Sequence, residues 1–415
     1  MRASVIVVTH AGASRLGDGL ASLAPYAGRS DVEVILVDNG SRDGCAEISR
    51  REYPWARTVR SGRNLGFTGG VRLGAETAEG DVLVLLNDDA SAEPGLVEHH
   101  IETLQAHPEA AATGGRLVSW DRSRHDFLRG RVTFDVHAFQ IGQGVPVDEV
   151  DPPEPGEPLP FACGGNMAVR RKDWDGAGGF DPELFAYFED VELGWRLLAM
   201  GREVIAAPDA VARHRGSATS SAMGDFRRGV LFERNALRIF HSCADDEHRQ
   251  ALGGAVYATF LHRIVDYASS RPDWSAHVAD PFGSTIQPAD GRSRWARRLR
   301  ERGPVDVIRH ALARVLLGKA AGQPRIDDGH LLMQLRAAHG YFEGIGATDR
   351  RRRELERLRT VSDREILQRF PRLVVPTYPG DACWFESDAF QTLLPNDWPL
   401  EFARLSDILH PEPMA

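Results

Sequence analysis

The sequence predicts an α/β fold with a mostly parallel central sheet, followed by a largely helical C-terminal region. Up to about residue 215, short β-branched runs alternate with stretches of helical apolar spacing, which is the pattern of βαβ units. After about Gly224 this alternation stops and the apolar residues keep helical spacing only. We therefore expect a catalytic or binding domain over residues 1–222 and a helical region over residues 223–415.

The elements of the first half follow from apolar runs and from helix and turn signals. Residues 82–86 form a continuous apolar run, which predicts a strand buried on both faces of the sheet. Residues 120–160 interrupt the alternation, and the prolines between 151 and 158 predict a surface excursion there. The remaining predicted strands are Ser4–Thr9, Val32–Val37, Ala110–Val118, Phe161–Val169 and Glu203–Ala207, and the predicted helices are Arg42–Glu52, Thr68–Ala78, Pro94–Ala106 and Val191–Met200.

The second half is predicted to be helical, with one strongly basic segment. Phe226–His241, Ala251–Tyr267 and Arg350–Arg359 have helical patterns, whereas the tail after Pro371 has no clear period. An amphipathic helix with an arginine-rich face is predicted near residues 292–319. It either lies on an anionic membrane surface or packs on the core with its arginines exposed. Self-association is a third role for this region.

Composition excludes several classes of protein. A net charge of −9, from 50 basic and 59 acidic residues, argues against a general nucleic-acid-binding protein. The four cysteines are far apart and contain no Cys-x-x-Cys pair, so neither a disulfide framework nor a zinc site is indicated. The sequence shows no signal peptide and no apolar run approaching the ~20 residues that span a bilayer. We therefore expect a cytoplasmic protein whose contact with the inner face of the plasma membrane is at most peripheral.

The strongest chemical signal is Asn87-Asp88-Asp89, directly after the buried strand. The carboxyl ends of parallel strands deliver groups to ligands. Hard divalent cations such as Mg²⁺ and Mn²⁺ prefer carboxylate oxygens and bridge phosphates. The triplet therefore predicts a metal site against a phosphate, and the alternative is a pair of helix N-caps.

Two further loops suggest a nucleotide site. Asp38 follows the second strand, where an acid either contacts a nucleoside or closes an Asx-turn. Asn64-Leu65-Gly66-Phe67 precedes a helix, and glycine there allows either close approach of an anion or an ordinary loop. The loop after the first strand has one glycine, Gly12, which argues against a nicotinamide-dependent dehydrogenase.

A second acidic cluster comes at a predicted helix start, in Glu189-Asp190-Val191-Glu192. Glu192 and Arg196 are four residues apart and are expected to pair on the helix surface. Asp190 shares a face with apolar residues and is flanked by aromatics, which predicts either a general base or a capping carboxylate. His214 follows the last strand and is a metal ligand only if the metal site exists.

The order of these motifs resembles the inverting family 2 glycosyltransferases, especially the bacterial rhamnosyltransferase-like and galactofuranosyltransferase-like members. The resemblance covers residues 3–220 and implies a Rossmann-like glycosyltransferase fold of the A type. The segments that carry it are Val5-Ile6-Val7-Val8-Thr9, Val37-Asp38-Asn39-Gly40-Ser41, Asn64-Leu65-Gly66-Phe67, Leu86-Asn87-Asp88-Asp89, Cys163-Gly164-Gly165-Asn166-Met167, Phe180-Asp181, Glu189-Asp190-Val191-Glu192-Leu193-Gly194-Trp195-Arg196 and His214.

The resemblance also implies a role for each matching residue. Asp190 would be the catalytic base, and Asp89 and His214 would hold Mn²⁺ or Mg²⁺. Asp38 would contact the nucleobase and Asp88 the ribose or diphosphate. The implied nucleotide-binding residues are Thr9, Asp38, Asn64, Gly66, Asn87 and Asp88, and the implied sugar and acceptor residues are Gly164, Gly165, Asn166 and Glu189.

The activity implied is transfer of a sugar from a nucleoside-diphosphate sugar to a lipid-linked or cell-surface glycan, in cell-wall or polysaccharide assembly. Transfer to a small natural product and a non-catalytic nucleotide-sugar scaffold are the alternatives. Two positions depart from the family pattern. Asn87 begins the acidic triplet where many relatives have Asp, which leaves one fewer charge for the metal. Arg72 replaces a frequent Asn, which predicts altered diphosphate contacts or donor choice.

Overall fold

A nine-stranded mixed sheet forms the centre of the molecule. The computed structural model describes residues 1–216, 224–269, 329–378 and 380–409. The strands are β1 Ala3–Thr9, β2 Val32–Asp38, β3 Arg57–Arg60, β4 Val82–Asn87, β5 Ala90–Ala92, β6 Ala110–Ser119, β7 His125–Phe127, β8 Arg129–Val132, β9 Ala138–Ile141, β10 Asn166–Arg170, β11 Glu203–His214, β12 Arg372–Val374 and β13 Leu400–Phe402.

The strands β1 to β4 are parallel neighbours, and three other strands of the sheet run antiparallel to their neighbours. Its order is β3-β2-β1-β4-β10-β6-β11-β5, with β7 paired to β6. β1 lies parallel to both β2 and β4, so all three end at one edge. β10 runs antiparallel to β4 and β6, while β5 and β7 pair antiparallel with β11 and β6. Every residue of β1 is buried, as expected of a strand covered on both faces.

Helices flank the sheet and make up most of the C-terminal region. They are α1 Leu16–Ser22, α2 Cys45–Glu52, α3 Gly66–Thr77, α4 Leu96–Ala106, α5 Arg171–Ala177, α6 Glu189–Ala199, α7 Asp225–Cys243, α8 Asp246–Ser269, α9 Gly329–Glu343, α10 Ile345–Leu358, α11 Asp363–Arg369, α12 Asp381–Phe385, α13 Asp388–Gln391 and α14 Leu405–Leu409. A short 3₁₀ helix, Pro182–Leu184, is capped by Asp181, whose carboxylate accepts the Glu183 N–H.

The predicted fold class is confirmed by this topology, with local differences. The strand expected over 161–169 begins only at Asn166, because residues 161–165 form the loop that leads into it. The last strand extends to His214 rather than ending near Ala207. The excursion over 120–160 contains β7, β8 and β9, and four further elements of the first half were not predicted: α1, β3, β5 and α5. These elements are short and partly polar, so tertiary pairing rather than apolar periodicity defines them.

The C-terminal helices pack against α6 through a buried polar cluster. Asp363, at the start of α11, is fully buried and accepts hydrogen bonds from Trp195 Nε1 at 2.8 Å and His248 Nδ1 at 2.9 Å. Arg359 pairs with the same carboxylate at 2.8 Å. The buried side chain of Trp195, on α6, is therefore held by a C-terminal carboxylate that His248 and Arg359 also contact. Buried residues from 1–222 and from the helical region after it belong to one hydrophobic cluster.

The basic helix predicted near 292–319 lies outside the described residues. No helix in the described ranges is both long and apolar enough to cross a membrane.

Candidate active site

Three parallel strands bring their polar ends together at one edge of the sheet. β1 ends at Thr9, β2 at Asp38 and β4 at Asn87, and the register aligns Thr9 with Asp38 and Val8 with Asn87. The carboxylates of Asp88 and Asp89 follow directly after β4. This convergence is the one expected at the carboxyl ends of neighbouring strands.

Asp88 is held by the loop that follows β1. Its Oδ2 accepts the Thr9 hydroxyl at 2.7 Å and faces a guanidinium nitrogen of Arg15 at 3.2 Å. Burial raises the pKa of Asp88, although Thr9 and Arg15 oppose this. Gly12 is required here, because a Cβ at that position would lie 2.0 Å from the Thr9 hydroxyl oxygen and 2.7 Å from Asp88 Oδ2. The sequence analysis did not identify Arg15, since no local pattern links it to an acid 73 residues away.

Asp89 contacts His214, which in turn contacts a second acid. His214 Nε2 lies 3.0 Å from Asp89 Oδ1, and Nδ1 lies 2.5 Å from Asp126 Oδ2. Burial alone would lower the pKa of His214, but the hydrogen bonds to Asp126 and Asp89 raise it to about 10. Burial likewise opposes ionisation of Asp89, yet the contact with His214 holds the pKa of Asp89 below its usual value. Asp126 was not identified from the sequence.

The pair of Asp89 and His214 has the chemistry of a divalent-cation site. A carboxylate oxygen and an imidazole nitrogen converge, and the Asn87 amide nitrogen lies 3.3 Å from the same His214 nitrogen. The carboxylate of Asp126 on the far side of the ring is the outer contact that typically orients a ligating histidine. Across the described ranges, no group of three or more His, Cys, Asp or Glu side chains is arranged to hold a metal. Asp89 and His214 are therefore two side chains that could hold such an ion only together with other ligands, such as phosphate and water.

Asp38 is buried, and both of its oxygens have partners. Oδ1 accepts the backbone N–H of Ser41 at 2.8 Å, which is the Asx-turn that the sequence left open. Oδ2 pairs with Arg60 Nε at 3.1 Å. The carboxylate therefore closes the loop after β2 and also faces a partly exposed arginine at the strand edge.

Asn39 ties the loop after β2 to the start of α3. Its amide donates to the Gly66 carbonyl at 2.8 Å, and its Oδ1 accepts the Leu65 N–H at 2.9 Å. Asn64 Oδ1 accepts the Gly66 N–H at 2.8 Å. Gly66 has a φ of +74°, and a Cβ on it would lie 2.2 Å from the carbonyl oxygen of Phe185. Only glycine permits this approach of the second acidic segment.

The segment before α6 has an unusual backbone. Phe185, Tyr187 and Phe188 have φ values of 68°, 72° and 65°, a region that bulky side chains rarely occupy. Such conformations persist only where surrounding contacts hold them, and they concentrate at functional sites. Here the Asn235 amide donates to the carbonyl of Tyr187 at 2.8 Å. Residue 235 belongs to α7, so the C-terminal region supports this turn.

Asp190 is joined to the strand ends through two glycines. Its Oδ2 accepts the Gly164 N–H at 3.2 Å and its Oδ1 accepts the Val191 N–H at 2.9 Å. The next residue, Gly165, accepts the Asn87 N–H at 3.2 Å. Consecutive Cα atoms are about 3.8 Å apart. The carboxylate of Asp190 and the end of β4 therefore lie on the same side of the sheet edge.

Both adjacent acids at the start of α6 are hard to ionise. Burial raises the pKa of Asp190, and its two backbone hydrogen bonds oppose this. Burial and the neighbouring charge of Asp190 raise the pKa of Glu189 to about 8. Cys163 is near both acids, and burial together with Asp190 raises the pKa of its thiol.

The Asn166 side chain is placed differently from the expectation for a sugar-lining residue. It is fully buried and donates to the carbonyls of Arg116 at 3.0 Å and Ala210 at 2.8 Å. Its Oδ1 faces His100 Nε2 at 3.1 Å. Burial lowers the pKa of His100 to about 4, so the ring is neutral at pH 7. The side chain of Asn166 thus links β10 to its neighbours.

Two other expectations about charged residues have clear outcomes. The Glu192–Arg196 pair is confirmed, with contacts of 2.6 and 2.7 Å, and Arg351 also contacts Glu192 at 3.2 Å. Arg72 donates to the carbonyls of Gly178 at 2.6 Å and Phe180 at 3.1 Å. Its guanidinium therefore holds the loop after α5, and the expected effect on diphosphate contacts or donor choice stays a prediction.

Several known glycosyltransferases are similar in sequence to this chain. The model of the family described as glycosyl transferase family 2 matches residues 4–176. An N-acetylglucosaminyl-diphospho-decaprenol L-rhamnosyltransferase of Mycobacterium tuberculosis is 30% identical over 239 residues, covering 52% of this chain and 76% of the relative. An uncharacterized glycosyltransferase of Bacillus subtilis, YfnE, is 25% identical over 274 residues, covering 56% of this chain and 69% of the relative.

Solved structures with similarity to this chain include GalNAc-T7 with UDP, GalNAc and Mn²⁺, at 14% identity and a TM-score of 0.48 over 77% of this chain and 58% of that one. Staphylococcus aureus TarS with UDP-GlcNAc has 16% identity and a TM-score of 0.45 over 83% of this chain and 92% of that one. The sequence match to the mycobacterial enzyme and the family model decide the identity. The chain is a glycosyltransferase and belongs to family 2 of these enzymes.

Proposed function

We propose that this glycosyltransferase moves a sugar from a nucleoside-diphosphate sugar to an acceptor hydroxyl, with inversion at the anomeric carbon. The observation that supports this most directly is the Gly164–Gly165 link. One glycine donates to Asp190 and the next accepts from Asn87, at the end of β4. This link is the support for proposing that a carboxylate base and a phosphate-binding strand edge act at one site.

In the reaction, Asp190 accepts the proton of the acceptor hydroxyl. The acceptor oxygen forms a bond to the anomeric carbon as the bond to the diphosphate oxygen breaks, and the nucleoside diphosphate leaves with that electron pair. A single displacement inverts the anomeric centre. The two backbone N–H groups that bind Asp190 favour its ionised form, in which it accepts a proton.

Asp89 and His214 are the residues that would hold Mn²⁺ or Mg²⁺. When bound, such a cation supplies positive charge to the leaving diphosphate. The Asp126 carboxylate keeps the His214 ring oriented, with Nε2 directed to Asp89. The proposed nucleotide contacts come from the loops after the three strands, at Thr9, Asp38, Asn64, Gly66, Asn87 and Asp88.

Among the sugar and acceptor residues, we retain Gly164, Gly165 and Glu189 at the cleft. Asn166 acts there only indirectly, by fixing the start of β10. For the acceptor we propose a lipid-linked or cell-surface glycan. The support is the likeness to an enzyme whose name specifies a diphospho-decaprenol acceptor.

A membrane contact or self-association of the C-terminal region is tested separately, by sedimentation with anionic vesicles and by light scattering.

The first experiment is thermal stabilisation by a panel of nucleotide sugars, with Mn²⁺ and with a chelator. A ligand that binds the native state raises stability by mass action, so the matching donor is identified by its shift. Sugar transfer or release from that donor is then followed in the wild type. A shift without turnover on any acceptor would favour a nucleotide-sugar scaffold over an enzyme.

The second experiment is Asp190→Asn. We expect it to keep donor binding and to lower the transfer rate by ~10²–10⁴-fold, through loss of the general base. Asp173→Asn is the matched control, because this acid lies on α5 and pairs with Arg202 at 2.9 Å. Near-normal turnover by the Asp190 variant would refute the assignment.

A further inference from the structure

Glu189 is a buried acid, and one of its two carboxyl oxygens has no hydrogen-bond partner among the described residues. It is the first residue of α6 and is 7% exposed. The oxygen concerned is Oε2. Buried polar atoms are almost always hydrogen-bonded, so this atom needs an explanation.

The charge environment of Glu189 contrasts with that of Glu192, three residues further along the same helix. Glu192 is paired with Arg196 and Arg351. In the described part of the chain, no arginine, lysine or histidine pairs with Glu189 or with Asp190. Burying an isolated carboxylate is costly, and burying two adjacent ones costs more. The pair of acids therefore holds one proton between them.

The hydrogen bonds decide which acid carries that proton. Asp190 accepts two backbone N–H groups, one on each oxygen, and these bonds stabilise its ionised form. The Glu189 carboxyl also accepts backbone N–H groups, from residues 187 and 189, but these leave its Oε2 without a donor. The proton therefore resides on Glu189, and Asp190 remains the carboxylate.

We propose that Glu189 is a neutral carboxylic acid that donates its O–H to an oxygen of a substrate sugar beside the ionised Asp190. This rests on the proposed function, because it places the sugar in the same cleft. Gly164, which donates to Asp190, also lies beside Glu189, since a Cβ on it would be 3.7 Å from Glu189 Oε1 and 3.2 Å from the Phe67 ring. A sugar hydroxyl, like any hydroxyl, can accept from a carboxylic acid and donate to a carboxylate at the same time.

The proposal predicts a bell-shaped pH profile. Activity requires Asp190 ionised, which sets the acid limb, and Glu189 protonated, which sets an alkaline limb near pH 8. The other ionisable groups near the pair are Cys163, Glu192 and, beside Cys163, Asp126. Burial raises the pKa of Cys163 above the pH of the alkaline limb. Glu192 stays ionised because two arginines pair with it, and Asp126 stays ionised because it contacts His214.

The test compares Glu189→Gln with Glu189→Leu. Glutamine keeps a donor that cannot ionise, so we expect less than a tenfold loss of kcat/KM at pH 7 and disappearance of the alkaline limb. The leucine variant cannot donate a hydrogen bond, so its kcat/KM should fall by about 10- to 100-fold, because a buried partner is left unpaired. If the glutamine variant keeps the alkaline limb, or loses as much activity as leucine, the proposal is wrong. Glu192→Gln is the control, and it should lower the melting temperature without removing that limb.

Infrared spectroscopy tests the protonation state without any turnover. The difference between the infrared spectra of the wild type and Glu189→Gln at pH 7 should contain a protonated-carboxyl band. This band should shift in D₂O and vanish above pH 9. Absence of the band refutes a neutral Glu189. If the band is present but no nucleotide sugar is turned over, the proposed function fails and the assignment of the proton stands.

Discussion

The contact between Asp126 and His214 makes the most specific prediction about metal binding. Asp126→Asn keeps the shape of the side chain but removes the charge that faces His214 Nδ1 at 2.5 Å. Loss of such an outer carboxylate typically lowers metal affinity by about 10- to 100-fold. At about 1.4 kcal/mol per factor of ten, this corresponds to about 1.4–2.8 kcal/mol of binding free energy.

The assay is titration of Mn²⁺ into the wild type and the variant by calorimetry, in the presence of the donor identified by thermal shift. The control is Gln143→Ala, which removes the other hydrogen bond to Asp126, from Gln143 Nε2 to Oδ1 at 3.1 Å. That contact is exposed and does not involve His214, so Mn²⁺ affinity should stay close to wild type. Equal Mn²⁺ affinity in wild type and Asp126→Asn would refute the reasoning, as would full activity of the wild type in chelator.

Three further predictions concern how the site is held in place. Gly66→Ala should lower the free energy of unfolding by more than Gly28→Ala, measured by urea denaturation. Both positions have positive φ (+74° and +77°), but only the first would clash, with Phe185; equal losses would contradict the packing argument. Arg72→Ala should cost about 1–3 kcal/mol of stability through its lost carbonyl contacts and leave donor preference unchanged, whereas a changed preference in the nucleotide-sugar panel would restore the diphosphate role. Asp363→Asn should destabilise the protein by about 3–5 kcal/mol, because the largely buried Arg359 guanidinium loses its carboxylate partner, and a variant that melts like wild type would show that the C-terminal region does not anchor α6.

The fold and the principal acids were predictable because their signals are local. The apolar run of β4, the polar residues that end β1 and β2, and the acids that begin α6 each follow from neighbouring residues in the chain. The i, i+4 spacing of Glu192 and Arg196 likewise fixed their pairing before any tertiary contact was known. Short strands such as β3, with four residues, and β5, with three, were not predicted, because so few residues show no clear apolar period.

Other features of the site were not predictable, because they depend on groups far apart in sequence. Asp126 lies 88 residues before His214, inside an excursion that the sequence described only as surface. Asn166 belongs to a motif associated with sugar contact, yet its amide N–H groups donate to the backbone carbonyls of residues 116 and 210. Motif position gives the location of a backbone segment, but burial and hydrogen-bond partners decide where its side chain acts.

By itself, the sequence determined the alternation of strands and helices, the strand ends that carry acids, and membership of the glycosyltransferase family. These properties follow from the order and spacing of residues along the chain. Only the tertiary structure decided that buried residues of the two halves belong to one hydrophobic cluster, that Asp126 orients His214, and that Glu189 and Asp190 differ in their hydrogen bonds. The physical reason is that burial, dielectric environment and hydrogen bonding depend on which distant segments pack together.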